Sequence, residues 1–141
     1  MKLKLHHINL CSTNVGAMDD FYRGVLELDR ETTMQASRAT DADSYDGKVA
    51  FVTDGTTQMH IAAKDFGVGF RTGQIVNPLE KGHIAFRTDD IAAFKKRLED
   101  KGIPYSDYGG WAIKGWHQIF FHDPDGNVIE VHQAVDALPA E

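Results

Sequence analysis

Residues 120–130 read FFHDPDGNVIE, and this stretch decides the fold of the chain around it. Its centre, Asp123–Gly126, has the composition of a tight turn, because proline presets the backbone at one turn position and glycine accepts a positive φ at another. Apolar residues flank the turn on both sides, which predicts strands over residues 116–122 and 127–132. Glu130 is then a lone carboxylate within an apolar strand.

The rest of the chain predicts strands and helices in a regular order. Leu3–Cys11 alternates between apolar and polar residues, which indicates a half-buried strand, and Ser12–Asn14 offers helix caps before a helix that reaches Leu28. Three further strands are predicted over residues 30–36, 48–54 and 57–63. The second half repeats this order, with strands over residues 82–88, 103–105, 116–122 and 127–132 and a helix between Asp90 and Gly102. Each half is therefore predicted to be a βαβββ module.

Short matches between the two halves support an internal repeat of about 70 residues. His7–Leu10 parallels His83–Phe86, and Met59–Ile61 parallels Ile129–Val131. We therefore expect an α+β fold in which residues 1–141 form one domain. Its predicted parts are module 1 over about 3–64, a linker over 65–79, module 2 over about 80–133 and a tail over 134–141.

Composition excludes several classes of protein. The chain has 141 residues, 42% of them hydrophobic, which suits one core, and a net charge of −6, which disfavours nucleic acid as a partner. A single cysteine cannot form a disulfide framework, whereas seven histidines make imidazole the candidate ligand. The start of the chain does not resemble a signal peptide, and no stretch is apolar enough for a membrane span. We expect a soluble, cytoplasmic protein that acts on a small molecule.

Strand periodicity separates four polar residues from their aliphatic neighbours. Successive side chains on a strand point to opposite faces, so His7, His60, His83 and Glu130 should all leave the face opposite the aliphatic row that packs on the helices. Three imidazoles and a carboxylate on one concave surface suit a divalent ion, namely Zn, Ni, Co, Mn or Fe(II). By the same rule His6 should point away from His7.

Several other residues are weaker candidates for the cleft. His132 shares the face of Glu130 but is expected at the rim, whereas Asn9, Cys11 and Gln58 fall on the inward rows. Cationic side chains that could bind an anionic substrate group are Arg71, Arg87 and Lys114. Aromatic residues in glycine-rich segments that could close over a substrate are Phe66, Phe70, Trp111 and Trp116.

Four motifs together resemble the vicinal oxygen chelate superfamily, which contains glyoxalases, bleomycin-resistance proteins and extradiol dioxygenases. They are His7–Leu10, the FYRGVL segment at 21–26, the GHIAF segment at 82–86 and the closing motif at 120–130. The resemblance covers about residues 3–133, and the closing motif is the most specific.

The resemblance implies two βαβββ modules that curl into a cleft around a metal ion. Family ligands come from the first strand of each module and the last strand of the second, which match His7, His83 and Glu130. A fourth ligand, usually Glu or Gln, would come from the slot that holds His60 here. Because glyoxalase I is expected to have a second carboxylate, this departure puts a strict lactoylglutathione lyase in doubt. Members commonly form homodimers.

The resemblance implies a metal-dependent lyase or isomerase of the glyoxalase type that chelates a small oxygenated substrate and stabilises an enediolate or oxyanion. Glu130 could detach from the metal and act as the base. An iron(II) extradiol-type dioxygenase is one alternative, with His117, Tyr105 and Tyr108 as loose candidates for its further catalytic group. A fosfomycin-type thiol transferase and a metal-free, bleomycin-type drug-binding protein are the others.

Overall fold

The computed structural model describes residues 1–135 as an eight-stranded sheet with three helices on it. In chain order the elements are β1 (Leu3–Ser12), α1 (Val15–Gly24), β2 (Asp29–Arg30), β3 (Val49–Thr53), β4 (Gln58–Ala63), α2 (Val68–Thr72), β5 (Gly82–Thr88), α3 (Ile91–Asp100), β6 (Ser106–Gly109), β7 (Trp116–His122) and β8 (Val128–Ala134). The α+β class predicted from the sequence is confirmed.

The strand order is symmetric about the centre of the sheet. It runs β2-β3-β4-β1-β5-β8-β7-β6, with β1 and β5 antiparallel to each other in the middle. Each central strand has a parallel partner on its other side, β4 next to β1 and β8 next to β5. The two halves therefore continue one curled, mixed sheet rather than forming separate sheets. This order is the one expected for two βαβββ modules, although the module boundaries remain a prediction.

Capping side chains start the two long helices. Asn14 Oδ1 accepts from the backbone N of Ala17 at 3.0 Å, and Asp90 Oδ1 accepts from that of Ala93 at 2.9 Å. Each cap satisfies one of the backbone donors that the first turn of a helix leaves unpaired. Apolar residues of both helices then pack on the sheet, in one cluster around Val15, Val52 and Ile61 and another around Phe94, Ile119 and Val131.

The helices leave part of the outer face of the two central strands uncovered. Ile61 on β4 and Val131 on β8 are 0% and 1% exposed, whereas Ile8 on β1 and Ile84 on β5 are 37% and 40% exposed. Phe86 of β5 packs against the cluster that contains α3. The prediction that the aliphatic row packs on the helices is therefore right for β4, β8 and Phe86 and wrong for Ile8 and Ile84. The polar row behaves in the opposite way, since His7 and His83 are buried.

Three elements differ from their predicted bounds. The helix predicted to reach Leu28 ends at Gly24, and Glu27 has a positive φ of 58° that a continuing helix cannot accommodate. The strand predicted over 30–36 is confined to Asp29–Arg30 and is followed by a single 3-10 turn over Gln35–Ser37. The strand predicted over 103–105 lies instead at β6, because Ile103 bonds back to helix α3.

The predicted linker and tail contain regular structure. The linker includes the short helix α2, whose residue Val68 is 0% exposed. Ala134 belongs to β8, and Val135 follows it. The rest of the predicted tail, 136–141, lies outside the described residues.

Two loops meet over the face of the sheet opposite the long helices. The backbone N of Ala39 donates to the carbonyl of Ala112 at 2.9 Å, and that of Lys114 donates to the carbonyl of Ser37 at 2.8 Å. Trp111 Nε1 adds a bond to the carbonyl of Asp43 at 2.9 Å. Residues 31–47 of the first half and 110–115 of the second half therefore form a hydrogen-bonded roof, and the space below it is the cleft.

Within residues 1–135, none of the helices has the length and apolar character that crossing a membrane requires.

Gly82 is expected to be essential for the pairing of β1 with β5. Its φ is +115°, and a methyl group added there would collide with the backbone carbonyl of Asn9. We expect Gly82→Ala to lower the free energy of unfolding by about 2 kcal/mol or more, because it combines backbone strain with a steric clash. Urea denaturation measures the change. Gly24→Ala is the control, since nothing lies within 4 Å of the added methyl, and an equal loss in both variants would contradict the prediction.

Candidate metal centre

Three buried side chains from three adjacent strands bring potential metal ligands together. His7 on β1, His83 on β5 and Glu130 on β8 each offer one ligand atom, and these atoms all lie within 4.8 Å of one another. Nε2 of His7 is 3.6 Å from Oε1 of Glu130, and Nε2 of His83 is 3.0 Å from the same oxygen. Two imidazole nitrogens and a carboxylate oxygen at these separations suit a first-row divalent ion.

His83 directs Nε2 at the carboxylate. Its Nδ1 lies 2.9 Å from the carbonyl oxygen of Pro78, which can only accept, so Nδ1 carries a proton. Nε2 faces Oε1 of Glu130 at 3.0 Å, and a metal ion beside these two buried atoms could bind both of them. The donor set therefore fits a metal ion.

The second oxygen of Glu130 is held from the far side of the site. His132 Nδ1 lies 2.7 Å from Oε2, and the amide nitrogen of Gln118 lies 3.4 Å from it. His132 is 0% exposed, so the expectation of a rim position is wrong. Oε2 is thus engaged while Oε1 is left toward His7 and His83.

His60 lies beside the three ligand atoms and is not one of the clustered donors. Its ring stacks on that of His7, with centroids 3.8 Å apart and planes at 16°. Its Nε2 bonds to Oε1 of Gln58 at 2.8 Å, so that nitrogen is already engaged. The structure brings His60 into the same cleft as the other three residues, and its role as a fourth ligand stays a prediction.

His6 lies on the same side of the sheet as His7, contrary to the prediction. A bulge in β1 places Leu5 and His7 opposite the consecutive residues Phe86 and Ala85, so His6 is the extra residue. Its Nδ1 lies 2.9 Å from Nδ1 of His7. Strict alternation along the strand was assumed from the sequence, and no sequence signal marks this bulge.

The electrostatics of the cluster favour neutral imidazoles at His6, His7 and His60 and an ionised carboxylate at Glu130. Burial lowers the pKa of His7, lowers that of His60 well below its usual range, and lowers that of His6 to about 3. Burial opposes ionisation of Glu130, but His7, His132 and His83 more than offset it and hold the pKa of this carboxyl well below its usual range. Neutral imidazole and ionised carboxylate are the forms that bind metal.

The cleft around these residues is small and mostly apolar. Its cavity has a volume of about 50 Å³, enough for a few water molecules. Apolar and aromatic residues on its walls are Tyr45, Val49, Phe51, Leu79, Trp111, Ile113, Trp116 and Phe120. The guanidinium of Arg38 also lines the cleft and donates to the carbonyl of Tyr45 at 3.1 Å. Arg38 lies in a loop without a motif, and the sequence did not single it out.

The cationic candidates from the sequence have other roles. Arg71 pairs with Asp65 at 2.6 Å, Lys114 is exposed, and Arg87 donates from Nε to Nε2 of His132 at 3.1 Å. None of the three lines the cleft.

Two of the four aromatic candidates from the sequence line the cleft, and two do not. Phe66 and Phe70 are 69% and 94% exposed, whereas Trp111 and Trp116 line the cleft. Among the inward polar residues Asn9 lines it as well.

The residues considered for a dioxygenase lie elsewhere. His117 bonds to Asp107 at 2.8 Å, and the hydroxyl groups of Tyr105 and Tyr108 donate to Glu99 and to the carbonyl of Val76, both at 2.6 Å. None of these three side chains lines the cleft.

The fold and the candidate site agree with the family that the sequence matches. The chain belongs to the Glyoxalase/Bleomycin resistance protein/Dioxygenase superfamily, whose model matches residues 4–131. This confirms the family resemblance inferred from the motifs.

Among curated proteins, Glyoxylase I 4 of Arabidopsis thaliana is 38% identical over 68 residues, which are 45% of this chain and 36% of that protein. The match therefore spans about a third of the length of that relative. Solved structures with the same fold include methylmalonyl-CoA epimerase from Mycobacterium tuberculosis, with a TM-score of 0.68, 17% identity and coverage of 98% and 92% of the two chains. A superfamily member from Vibrio splendidus 12B01 has a TM-score of 0.58, 14% identity and coverage of 94% and 99%.

The buried imidazoles predict that acid destabilises the metal-free protein. Burial lowers the pKa of His60 below its usual 6.5, so the unfolded chain takes up a proton that the folded protein does not. The stability contributed by each such ring is complete above pH 6.5 and falls as the pH drops toward the lowered pKa, by up to about 1.4 kcal/mol per pH unit. The pKa values of His6 and His7 are also lowered, so these two residues make the stability fall with pH in the same direction.

Urea unfolding with EDTA between pH 7.5 and 5.5 measures this slope. We expect His60→Phe to reduce it by up to the contribution of one imidazole, because phenylalanine keeps a stacked ring and cannot be protonated. An unchanged slope in this variant would show that His60 does not contribute.

Proposed function

We propose that this protein is a metal-dependent enzyme of the glyoxalase type, which moves a proton at a carbon next to a chelated oxygen of a small substrate. The observation that carries the proposal is the cluster of three buried donor atoms, one each from His7, His83 and Glu130, that all lie within 4.8 Å of one another. His7, His83 and Glu130 would hold the ion, and His60 would complete or flank the ligand set.

A divalent ion in this position, whether Zn, Ni, Co, Mn or Fe(II), would polarise a substrate carbonyl and stabilise an enediolate or similar oxyanion. The chain itself contributes the general base. Among the described residues that line the cleft, Glu130 is the one with a carboxylate, and its oxygen Oε1 faces the other two donor atoms, so it is placed to accept a proton from a substrate held there. We infer that Glu130 is both a ligand and the proton acceptor.

The walls of the cleft favour a small substrate with one polar end. The cavity of about 50 Å³ is too small for a large molecule unless the roof over residues 31–47 and 110–115 opens. Trp111 and Phe120 offer apolar contact, and Arg38 offers a positive charge to an acidic group.

The relatives suggest two substrate classes to test. Hemithioacetals are expected from the glyoxalase relative, and 2-methyl-branched acyl thioesters are expected from the methylmalonyl-CoA epimerase neighbours. We also propose that the protein acts as a homodimer in the cytoplasm, as family members commonly do.

The dioxygenase alternative uses the same three ligands with iron(II). It has less support, because the candidates for its further catalytic group, His117, Tyr105 and Tyr108, do not line the cleft. Oxygen uptake on catechols by the iron-loaded protein would favour it.

Metal analysis tests the ligand set. We expect protein purified without chelators to contain close to one divalent ion per chain, measured by plasma mass spectrometry, and His83→Ala to lose it because one of three donors is gone. His117→Ala is the matched control, since it removes a histidine that does not line the cleft. Wild-type protein without metal after incubation with each of the five ions would contradict the proposal and favour a drug-binding protein.

The role of Glu130 as a base is tested by Glu130→Gln. The amide keeps the size of the side chain and an oxygen for the metal but cannot accept a proton. We expect turnover of a hemithioacetal or acyl thioester to fall by about 10²–10⁴-fold at saturating metal. Full turnover together with full metal content would rule this role out.

A further inference from the structure

A chain of two hydrogen bonds runs from Arg87 through His132 to the candidate metal ligand Glu130. Nε of Arg87 lies 3.1 Å from Nε2 of His132, and Nδ1 of His132 lies 2.7 Å from Oε2 of Glu130. Neither Arg87 nor His132 lines the cleft, so neither is expected to touch a substrate. These two hydrogen bonds therefore act on Glu130 through Oε2, the oxygen that does not face His7 and His83.

The protonation of His132 follows from the chemistry of its two partners. A guanidinium has only N–H donors and stays charged, so Nε2 of His132 must accept and cannot carry a proton. The proton of the neutral ring is then on Nδ1, where it is donated to Oε2 of Glu130. Both bonds are satisfied in this tautomer alone.

The indole of Trp116 holds both members of the pair in place. Its ring stacks on that of His132 with centroids 3.9 Å apart and planes at 7°, and the guanidinium of Arg87 lies 5.0 Å from its centroid. The imidazole is 0% exposed, so water does not compete for either nitrogen. The geometry of the pair is thus fixed before any ligand binds.

We propose that Arg87 and His132 are positioning residues of the metal centre. Arg87 sets the tautomer of His132, and His132 holds Oε2 of Glu130, so that Oε1 is directed at the nitrogens of His7 and His83. This inference rests on the proposed function, because it assigns the pair to the metal affinity of that same site. Groups behind a ligand typically contribute 10–100-fold to metal affinity.

The first test is the affinity for Zn²⁺, measured by competition with a chromophoric chelator. We expect His132→Phe to weaken binding by about 10–100-fold, because phenylalanine keeps the stacking on Trp116 but leaves Oε2 without its donor. Arg87→Leu should weaken it by about tenfold, since it acts through His132. His132→Asn should restore part of the affinity, because its amide nitrogen can replace Nδ1.

The matched control is His117→Phe. It removes an imidazole that also bonds to a carboxylate, Asp107 at 2.8 Å, but that does not line the cleft, so zinc affinity should not change. Circular dichroism identifies any variant that fails to fold. If His132→Phe does not fold, Arg87→Leu still tests the inference, because Arg87 is only partly buried.

The second test needs no metal and no variant. The ¹⁵N shifts of the His132 ring in metal-free protein at pH 7.5 should show a protonated Nδ1 and a bare Nε2. A proton on Nε2, in either the neutral or the charged ring, would overturn the role of Arg87. Equal zinc affinity of wild-type, His132→Phe and Arg87→Leu proteins would overturn the inference alone, whereas wild-type protein that binds no metal would overturn the proposed function.

Discussion

The carboxylate of Glu130 is 1% exposed, and it accepts from His132 and Gln118 on one oxygen while facing His7 and His83 with the other. A buried charge without partners would destabilise the fold strongly, so the surrounding strands must supply them. His132 lies on β8 itself, and the other partners come from β1, β5 and β7, which lie within two strands of β8 in the sheet. The strand order β1-β5-β8-β7 is thus the condition on which the site depends.

The antiparallel pairing of β1 with β5 turns two similar halves into one cleft. It places the first strand of each half side by side, and the parallel pairing of β8 with β5 adds the carboxylate next to the second imidazole. On the outer face Ile8 and Ile84 stay partly exposed, because the helices cover the two central strands only in part. The polar inner face is the better buried one at this point.

Membership of the superfamily explains the fold, and the group of histidines around Glu130 is a feature of this chain. The ring of His60 stacks on that of His7, and its Nε2 bonds to Gln58. His6 and His132 extend the group of histidines beyond the three candidate donor atoms, and Arg87 bonds to His132. Among the described residues that line the cleft, Glu130 alone carries a carboxylate, and several imidazoles surround it.

The class of fold and the candidate ligand residues were predictable from the sequence. Strand periodicity and the turn at Asp123–Gly126 are local properties, and they define strand β7 in full and β8 to within two residues. Polar residues in matching strand positions singled out His7, His60, His83 and Glu130 for the same reason, and three of them offer clustered donor atoms. The short strands β2 and β6 were misplaced, because their pairing depends on a neighbouring strand rather than on their own pattern.

Which histidines besides His7 and His83 lie near Glu130 depends on the tertiary structure. A bulge at His6 reverses the face that strict alternation predicts, and it arises from the register of β1 against β5. The burial of His132 and its bond to Arg87 depend on strands that are 45 residues apart in the chain. Arg38 reaches the cleft because one loop bonds to another across the sheet. These contacts are long-range, and periodicity within a single strand carries no information about them.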